Sequence, residues 1–184
     1  MARMRISIDK EMTGEILDIG GGGEGIIGRV YGQQVTAIDN IQEELDEAPS
    51  SCKKMLMDAS ELEFSDETFD HVTFFFSLMY MDKQTQRSAL SEATRVLKKG
   101  GSIRIWDADI DSAYPDAFIA ELDVDMPRER LHTVYGIIKP DASQRAETFV
   151  ELCKGMGLLL DEKSLDTGWF YLSFIKPLSR TTAR

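Results

Sequence analysis

The sequence has little cysteine, histidine and proline, and it lacks a long hydrophobic run. Its two cysteines, Cys52 and Cys153, have no CxxC partner and no nearby histidine, so we expect reduced thiols rather than a disulfide framework or a zinc site. The longest strongly apolar run, residues 72–81, is too short to span a bilayer. The amino terminus carries no apolar signal segment. These features predict a cytoplasmic protein with no membrane partner.

Clustered positive charge is also scarce. The formal net charge is −11, and no basic cluster exceeds Lys53-Lys54 or Lys98-Lys99. A phosphate backbone would repel such a chain, so we expect no nucleic-acid partner and a neutral or cationic small-molecule substrate. The length of 184 residues and the mixed composition predict one globular domain over residues 1–184.

Apolar segments of strand length alternate with segments of helical period in the first part of the chain. Strands are predicted at residues 15–19, 34–38, 54–57, 70–76 and 102–106. The clearest helix has an apolar stripe from Ala89 to Leu97, with Lys98-Lys99 in its last turn and Gly100-Gly101 at its end. Asn40 is predicted to cap an earlier helix. This alternation predicts an α/β fold with a parallel sheet covered by helices on both faces.

The pattern changes after Asp107. Residues 14–107 form the predicted core, and residues 108–140 read as an irregular insert with an extra strand at 131–139. A helix is expected over about residues 141–156, and strands at 158–160 and 169–175 form an antiparallel hairpin within residues 141–176. The apolar residues of this hairpin suit either the core or a homodimer contact.

The stretch EILDIGGGGEG, residues 15–25, is the first candidate site. Glycines between a strand and a helix allow a ligand to approach the backbone, although a glycine-rich surface loop has the same composition. Asp39 ends the next strand, where its carboxylate could accept both ribose hydroxyls of an adenosine. The turn and the acid together indicate an adenosine-containing ligand and leave NAD and S-adenosylmethionine open.

Five motifs in order resemble the class I S-adenosylmethionine-dependent methyltransferases, in particular the ubiquinone/menaquinone-biosynthesis-like small-molecule branch. The motifs are Asp18-Gly20-Gly22, Asp39, Asp58-Ala59, Phe69-Asp70 and residues 97–101, LKKGG. The resemblance covers residues 14–107, and the C-terminal strands are also similar to the end of that family. It implies a single-domain Rossmann-like fold with a mostly parallel seven-stranded sheet and an antiparallel C-terminal strand.

The resemblance also implies a cofactor site for S-adenosyl-L-methionine. Gly20, Gly21, Gly22 and Gly23 would line the methionine part, and Asp39 and the adjoining Asn40 would lie at the ribose. Asp58 and Ala59 would lie at the adenine. Phe76, Ser77 and Asp18 would lie near the methionine ammonium, Asp18 either there or bonded to the turn.

The sequence departs from the family pattern at two places. Glu24 stands where the family has a third glycine, so either the turn is one residue longer or Glu24 caps the following helix. Only about fourteen residues precede the first predicted strand, which leaves little chain for the N-terminal lid of many relatives. A lid would have to come from elsewhere in the chain or be missing.

The sequence shows no catalytic signature, and methyl transfer by alignment does not require one. Met79 and Tyr80 are candidates for a substrate pocket, and Trp106 and Tyr114 for its lining. His132 is more consistent with a surface histidine than with a base, and His71 with a structural role. Three acids, Asp107, Asp109 and Asp111, read as a solvated loop rather than a metal site. We therefore predict a small-molecule methyltransferase; the alternatives are a non-catalytic cofactor-binding protein and an NAD-dependent oxidoreductase.

Overall fold

The computed structural model describes residues 3–111 and 114–178. Within these residues the chain forms ten strands and four α-helices. The strands are β1 Arg3–Ser7, β2 Ile16–Ile19, β3 Val35–Asp39, β4 Lys53–Leu56, β5 Phe69–Phe75, β6 Leu97–Ala108, β7 Phe118–Asp125, β8 Arg130–Ile137, β9 Leu159–Asp166 and β10 Trp169–Ile175. The helices are α1 Ile26–Tyr31, α2 Gln42–Glu47, α3 Lys83–Val96 and α4 Ala146–Gly155.

Seven of the strands form the central sheet, in the order β4-β3-β2-β5-β6-β10-β9. Neighbours from β4 to β6 are parallel, whereas β10 runs antiparallel to both β6 and β9. All four residues of β2 are buried, as a continuous apolar run predicts for a strand between two layers. The carboxyl ends of β2 to β5 therefore meet at one edge of the sheet, where open α/β sheets bind ligands.

The end of α3 differs from the prediction. The helix ends at Val96, and Leu97 already has an extended backbone with φ −74° and ψ 131°. The Lys98 amine contacts the Asp70 carboxylate at 2.9 Å instead of lying in a last helical turn. Gly101 is inside β6, where an added Cβ would lie 2.5 Å from the Asp70 carbonyl oxygen. The glycine pair marks a close approach of two strands, so its assignment as a helix stop was wrong.

The insert predicted over residues 108–140 is more regular than expected. It contains β7 and β8, which pair antiparallel, while β1 pairs parallel with β7. We call this three-stranded sheet, β1-β7-β8, the cap sheet. Ala120, Leu122 and Val124 are buried at every second position, a strand pattern that the acidic residues between them conceal in the sequence. The extra strand expected at 131–139 corresponds to β8.

The two faces of the central sheet are covered differently. On one face, α3 and α4 pack on side chains such as Val72, Ile103 and Leu172. On the other face, α1 and the cap sheet cover Ile16, Val35 and others. The prediction of helical layers on both faces was therefore incomplete, because a second sheet supplies much of one layer.

The C-terminal hairpin has the predicted antiparallel form. β9 and β10 pair through the turn at Thr167-Gly168, where Gly168 has φ 83°. A side chain is strained at that dihedral angle, so glycine suits the turn. None of the helices in the described part of the chain combines the length and the apolar character that a membrane span requires.

Candidate active site

A cleft of about 900 Å³ lies at the carboxyl ends of β2, β3, β4 and β5, and β8 contributes to its rim. This volume is in the upper part of the range typical of small-molecule and cofactor sites. The lining residues follow the four strand ends or lie on α1, α2, α3 and β8: Gly20, Gly22, Gly23, Glu24, Arg29, Ile38, Asp39, Asn40, Ile41, Glu44, Glu47, Met57, Asp58, Ala59, Phe75, Phe76, Ser77, Tyr80, Met81, Asp82, Thr85, Val134 and Tyr135.

Most of the residues predicted at a cofactor site meet in this cleft. Those that line it are Gly20, Gly22, Gly23, Asp39, Asn40, Asp58, Ala59, Phe76 and Ser77. Asp18 and Gly21 are not among its lining residues. They lie in the layer beneath, where they determine the shape of the turn.

The glycine turn is folded tightly against its neighbours. The amides of Gly20 and Gly21 donate to the Ile38 carbonyl at 2.9 and 3.0 Å. A Cβ added to Gly20 would lie 2.4 Å from the Ser77 Cβ, and one added to Gly22 would lie 2.9 Å from Asp39 Oδ2. The turn therefore excludes side chains at these positions and exposes backbone to a ligand.

Asp18 supports the turn from below. Its side chain is buried, and Oδ1 accepts a hydrogen bond of 2.7 Å from the Thr73 hydroxyl. Oδ2 faces Gly21, where an added Cβ would lie only 2.5 Å away. Burial raises the pKa of Asp18 to about 7. Of the two roles considered for Asp18, the structure shows contact with the turn.

Asp39 ends β3 beside the glycines. Its Oδ1 accepts from the Ile41 amide at 3.0 Å, while Oδ2 faces Gly22. Ile41, not Asn40, precedes the first residue of α2, so the predicted Asn40 cap was wrong. The Asp39 carboxylate occupies the position next to the start of the helix, and Asn40 is free to line the cleft.

Asp58 follows β4 on the adjacent side of the cleft. Its Oδ1 accepts from the hydroxyl and the amide of Ser60, both at 2.7 Å. These bonds, the hydroxyl one first, lower the pKa of Asp58. The side chain is therefore ionised and held in one orientation at the cleft wall.

Glu24 connects the turn to the cap sheet. The residue before α1 is Gly25, in the left-handed region with φ 55°, and no side chain caps the helix. The Glu24 carboxylate accepts hydrogen bonds from the hydroxyls of Thr133 and Tyr135, the latter at 3.1 Å. The alternative in which Glu24 caps α1 is therefore wrong.

The end of β5 and the cap sheet form an aromatic wall. Tyr135 stacks on Phe76 with ring centroids 5.7 Å apart and an interplanar angle of 23°. Phe76 has φ 50°, which is uncommon for a residue with a side chain and is found at binding sites. Burial, followed by the nearby Glu24, raises the pKa of Tyr135. The cap sheet thus contributes Val134 and Tyr135 to the lining of the cleft.

The remaining candidate residues from the sequence differ in whether they line the cleft. Tyr80 lines the cleft, whereas Met79 is buried behind it. His132 contacts Asp123 at 3.0 Å on the cap sheet, and His71 contacts Ser102 at 2.8 Å. The aromatic and imidazole candidates that do not line the cleft are His71, Trp106, Tyr114 and His132.

The three acids at the end of β6 and just after it are not a uniformly solvated loop. Asp107 is fully buried, and it accepts from the Leu78 amide at 2.9 Å and from Gln144 Nε2 at 2.7 Å. Burial raises its pKa to about 7. Asp109 and Asp111 instead pair with Arg145. Asp107 lies behind the cleft and thereby fixes the turn that carries Tyr80, which lines the cleft.

Sequence reasoning missed a group of cleft residues that become neighbours only on folding. They include Arg29, Ile41, Glu44, Glu47, Met57, Thr85, Val134 and Tyr135. Ile41 directly follows Asn40 and Met57 directly precedes Asp58, so the predicted positions next to them could have indicated both residues. Val134 and Tyr135 had no such signal, because more than a hundred residues separate them from the glycine turn.

A family model described as a methyltransferase domain matches residues 17–105. This range includes the glycine turn, Asp39, Asp58 and the aromatic end of β5. The match covers 89 of the 184 residues and identifies a methyltransferase domain there. S-adenosylmethionine is therefore its cofactor, which decides between the two adenosine-containing ligands that the sequence left open.

Solved structures resemble the methyltransferase domain in fold. An S-adenosylmethionine-dependent methyltransferase from Methanosarcina mazei is 19% identical, with a TM-score of 0.62 and coverage of 90% of this chain and 93% of that one. A glycopeptide N-methyltransferase, MtfA, complexed with S-adenosylmethionine is 14% identical, with a TM-score of 0.62 and coverage of 91% and 89%. The [4+2]-cyclase SpnF is 17% identical, with a TM-score of 0.65 and coverage of 91% and 78%. A comparison of the sequence with curated proteins gives no match.

Proposed function

We propose that this protein transfers a methyl group from S-adenosylmethionine to a small-molecule acceptor. The observation that carries the proposal is the continuity of the cleft. It runs from the glycine turn, Asp39 and Asp58 to the aromatic wall formed by Phe76, Tyr80 and Tyr135. One cavity therefore provides polar groups for a nucleoside and, beside them, apolar surface for a second molecule.

The cleft residues fit the cofactor on the observations above. Asp39 would accept the ribose hydroxyls through the oxygen that Ile41 leaves free, and Asp58 would accept the adenine amino group beside Ala59. The backbone of Gly20 to Gly23 would contact the methionine part, with Phe76 and Ser77 nearby. The ligand supplies an electrophilic methyl group on a sulfonium when bound.

The protein's contribution is positioning. The cap sheet and the β5 end bring two aromatic side chains together over the cleft, and such a wall excludes water and limits how an acceptor can lie. Alignment of this kind accounts for about 7–11 kcal/mol of barrier reduction in favourable cases. Tyr135, with its raised pKa, stays protonated at neutral pH and donates to Glu24. We assign no residue as a general base.

The fold alone does not determine the reaction, since a [4+2]-cyclase has a similar one. The alternative is a protein that binds the cofactor without transferring its methyl group. We propose that the core, the cap sheet and the C-terminal hairpin work as one domain over residues 1–184. A cytoplasmic location and a homodimer remain predictions.

The cofactor roles are tested at Asp39. The Asp39→Ala variant should bind S-adenosylmethionine about 30-fold more weakly by calorimetry, because a charge-assisted bond worth about 2 kcal/mol is lost. Glu43→Gln on α2 is the matched control, because Glu43 is exposed and does not line the cleft. Equal cofactor affinities for the two variants would show that Asp39 does not contribute to cofactor binding.

Methyl transfer itself is tested with cofactor labelled on the methyl group. Incubation with the small-molecule fraction of a cell extract should yield a labelled product, and Asp39→Ala should yield much less of it when the cofactor concentration is below saturation. Cofactor binding without any labelled product would support the non-catalytic alternative.

A further inference from the structure

The charge of the cleft is strongly asymmetric. Its lining contains six carboxylates, Glu24, Asp39, Glu44, Glu47, Asp58 and Asp82, whereas Arg29 is the cationic side chain among the described lining residues. Arg29 is already engaged: Nε donates to the Glu24 carbonyl at 2.6 Å, and Nη1 lies 3.4 Å from Glu129. An anionic acceptor would therefore meet carboxylates and no unengaged cation.

Several of these acids have other partners or proposed roles. Asp39 and Asp58 are the proposed ribose and adenine contacts. Asp82 caps α3, with Oδ1 accepting from the Thr85 amide at 2.7 Å. Glu44 lies against the turn, with its Oε2 2.9 Å from where a Gly23 Cβ would be. Glu24 is the acid on the side of the cleft that the cap sheet covers.

Glu24 has the properties of a fixed anion. Hydroxyl donors hold both of its oxygens, Thr133 at Oε1 and Tyr135 at Oε2. No salt bridge joins its carboxylate to a cationic side chain within residues 3–111 and 114–178. The hydroxyl donors hold both oxygens in place but carry no charge of their own, so they do not compensate the charge of the carboxylate.

Aromatic rings stand next to this anion. Tyr135 bonds Glu24 directly and stacks on Phe76, and Tyr80 lines the same cleft. Ring faces attract cations, most strongly where water is excluded, and a carboxylate adds a direct ionic contact. The combination is suited to an ammonium group.

We propose that the methyl acceptor is a cationic small molecule whose ammonium group is held by Glu24 and the adjoining aromatic wall. The inference rests on the proposed function, of which it specifies the substrate class. It leaves open which atom of the acceptor receives the methyl group. The alternative partner of Glu24 is the cofactor, which is itself positively charged. The experiments below distinguish the acceptor from the cofactor as the partner.

The first experiment separates a small-molecule cell extract by ion exchange at pH 7 into cationic, neutral and anionic fractions. Each fraction is incubated with the protein and methyl-labelled cofactor. We expect the labelled product to arise from the cationic fraction. Labelling confined to the neutral or anionic fraction overturns the inference but leaves the proposed function intact. Labelling of no fraction, with cofactor binding retained, overturns both.

The second experiment uses Glu24→Gln, whose side-chain oxygen can still accept a bond from a cap-sheet hydroxyl. We expect KM for the cationic fraction to rise about tenfold, the loss of one ionic contact, with affinity for S-adenosylmethionine and S-adenosylhomocysteine within about twofold of the parent. Glu43→Gln removes the same charge outside the cleft and should change neither quantity. Thermal unfolding of both variants checks the fold.

The pattern of affinities decides which partner Glu24 has. A selective loss of S-adenosylmethionine affinity would place Glu24 at the sulfonium, and an equal loss for both nucleosides would place it at their common ammonium group. Either result overturns the inference. An unchanged KM would overturn it as well.

Discussion

Two buried carboxylates occupy opposite sides of the central sheet, and each lies beneath a turn that lines the cleft. Asp18 is under the glycine turn on the face covered by α1 and the cap sheet. Asp107 is under the turn after β5, against the layer that contains α3. Burial raises the pKa of both groups to about 7. They differ in the number of donors that the fold provides.

Asp107 accepts from two backbone amides, Leu78 at 2.9 Å and Ala108 at 2.8 Å, and from Gln144. Gln86 orients Gln144 by donating to its Oε1 at 3.0 Å and also bonds the Leu78 carbonyl. Within the described residues, the side-chain donor to Asp18 is the Thr73 hydroxyl. The comparison indicates that Asp107 organises the surrounding backbone through several donors, whereas Asp18 has one side-chain donor and mainly fills the space beneath the glycine turn.

The largest effect is expected at Asp107. Asp107→Asn should lower the free energy of unfolding by about 3 kcal/mol at pH 8, because an amide nitrogen would face donors that now bond a carboxylate. Chemical denaturation measures the loss. Asp109→Asn removes a partly exposed acid nearby and should cost less than about 0.5 kcal/mol. A similar small cost at Asp107 would show that its donors do not need the charge.

A smaller effect is expected when Asp18 loses its donor. Thr73→Val should cost about 2 kcal/mol of unfolding free energy at pH 8, because a buried carboxylate is left unpaired. Thr73→Ser retains the hydroxyl and serves as the control. The cost of Thr73→Val should be smaller at pH 5, where the Asp18 carboxyl is protonated; a cost independent of pH would show that Asp18 does not titrate between pH 5 and pH 8.

The smallest change at neutral pH is expected for Asp18→Asn, within about 1 kcal/mol, since the amide oxygen can accept from Thr73 as before. The pH dependence is more informative. The folded parent holds a proton that the unfolded chain releases near pH 4, so its stability falls as pH rises from about 4 to 7. The variant lacks this loss. Its stability relative to the parent should therefore increase with pH, as measured by denaturation at several pH values; a constant difference would refute the raised pKa.

The positions of the cofactor residues could be predicted because they are local. Gly20, Asp39, Asp58 and Phe76 each lie within two residues of the end of a strand, and parallel strands place their carboxyl ends at one edge. Apolar runs in the sequence predict where the strands end, and these cofactor residues lie at those ends. Only the order of the strands in the sheet had to come from the tertiary structure. The one local error, Asn40, arose because the backbone turns into α2 one residue later than its preference suggests.

The cap sheet could not be predicted in the same way. β1 pairs with β7 across more than a hundred residues, and the alternation in each strand is masked by charged residues such as Glu121, which pairs with Arg3. The same holds for residues 97–101, where pairing of Leu97 with Phe69 overrides a helical pattern. Strand pairing depends on a distant partner, and a local window contains no information about it.

By itself, the sequence determined the α/β class, the glycine turn and the acids at Asp39 and Asp58, because periodicity and turn chemistry act over a few residues. Only the tertiary structure decided what closes the cleft and what Glu24 does. That residue departs from the family pattern in a local turn, but its partners Thr133 and Tyr135 belong to a strand more than a hundred residues away. Folding brings them together because the cap sheet buries its apolar side on the same face of the central sheet that supports the turn.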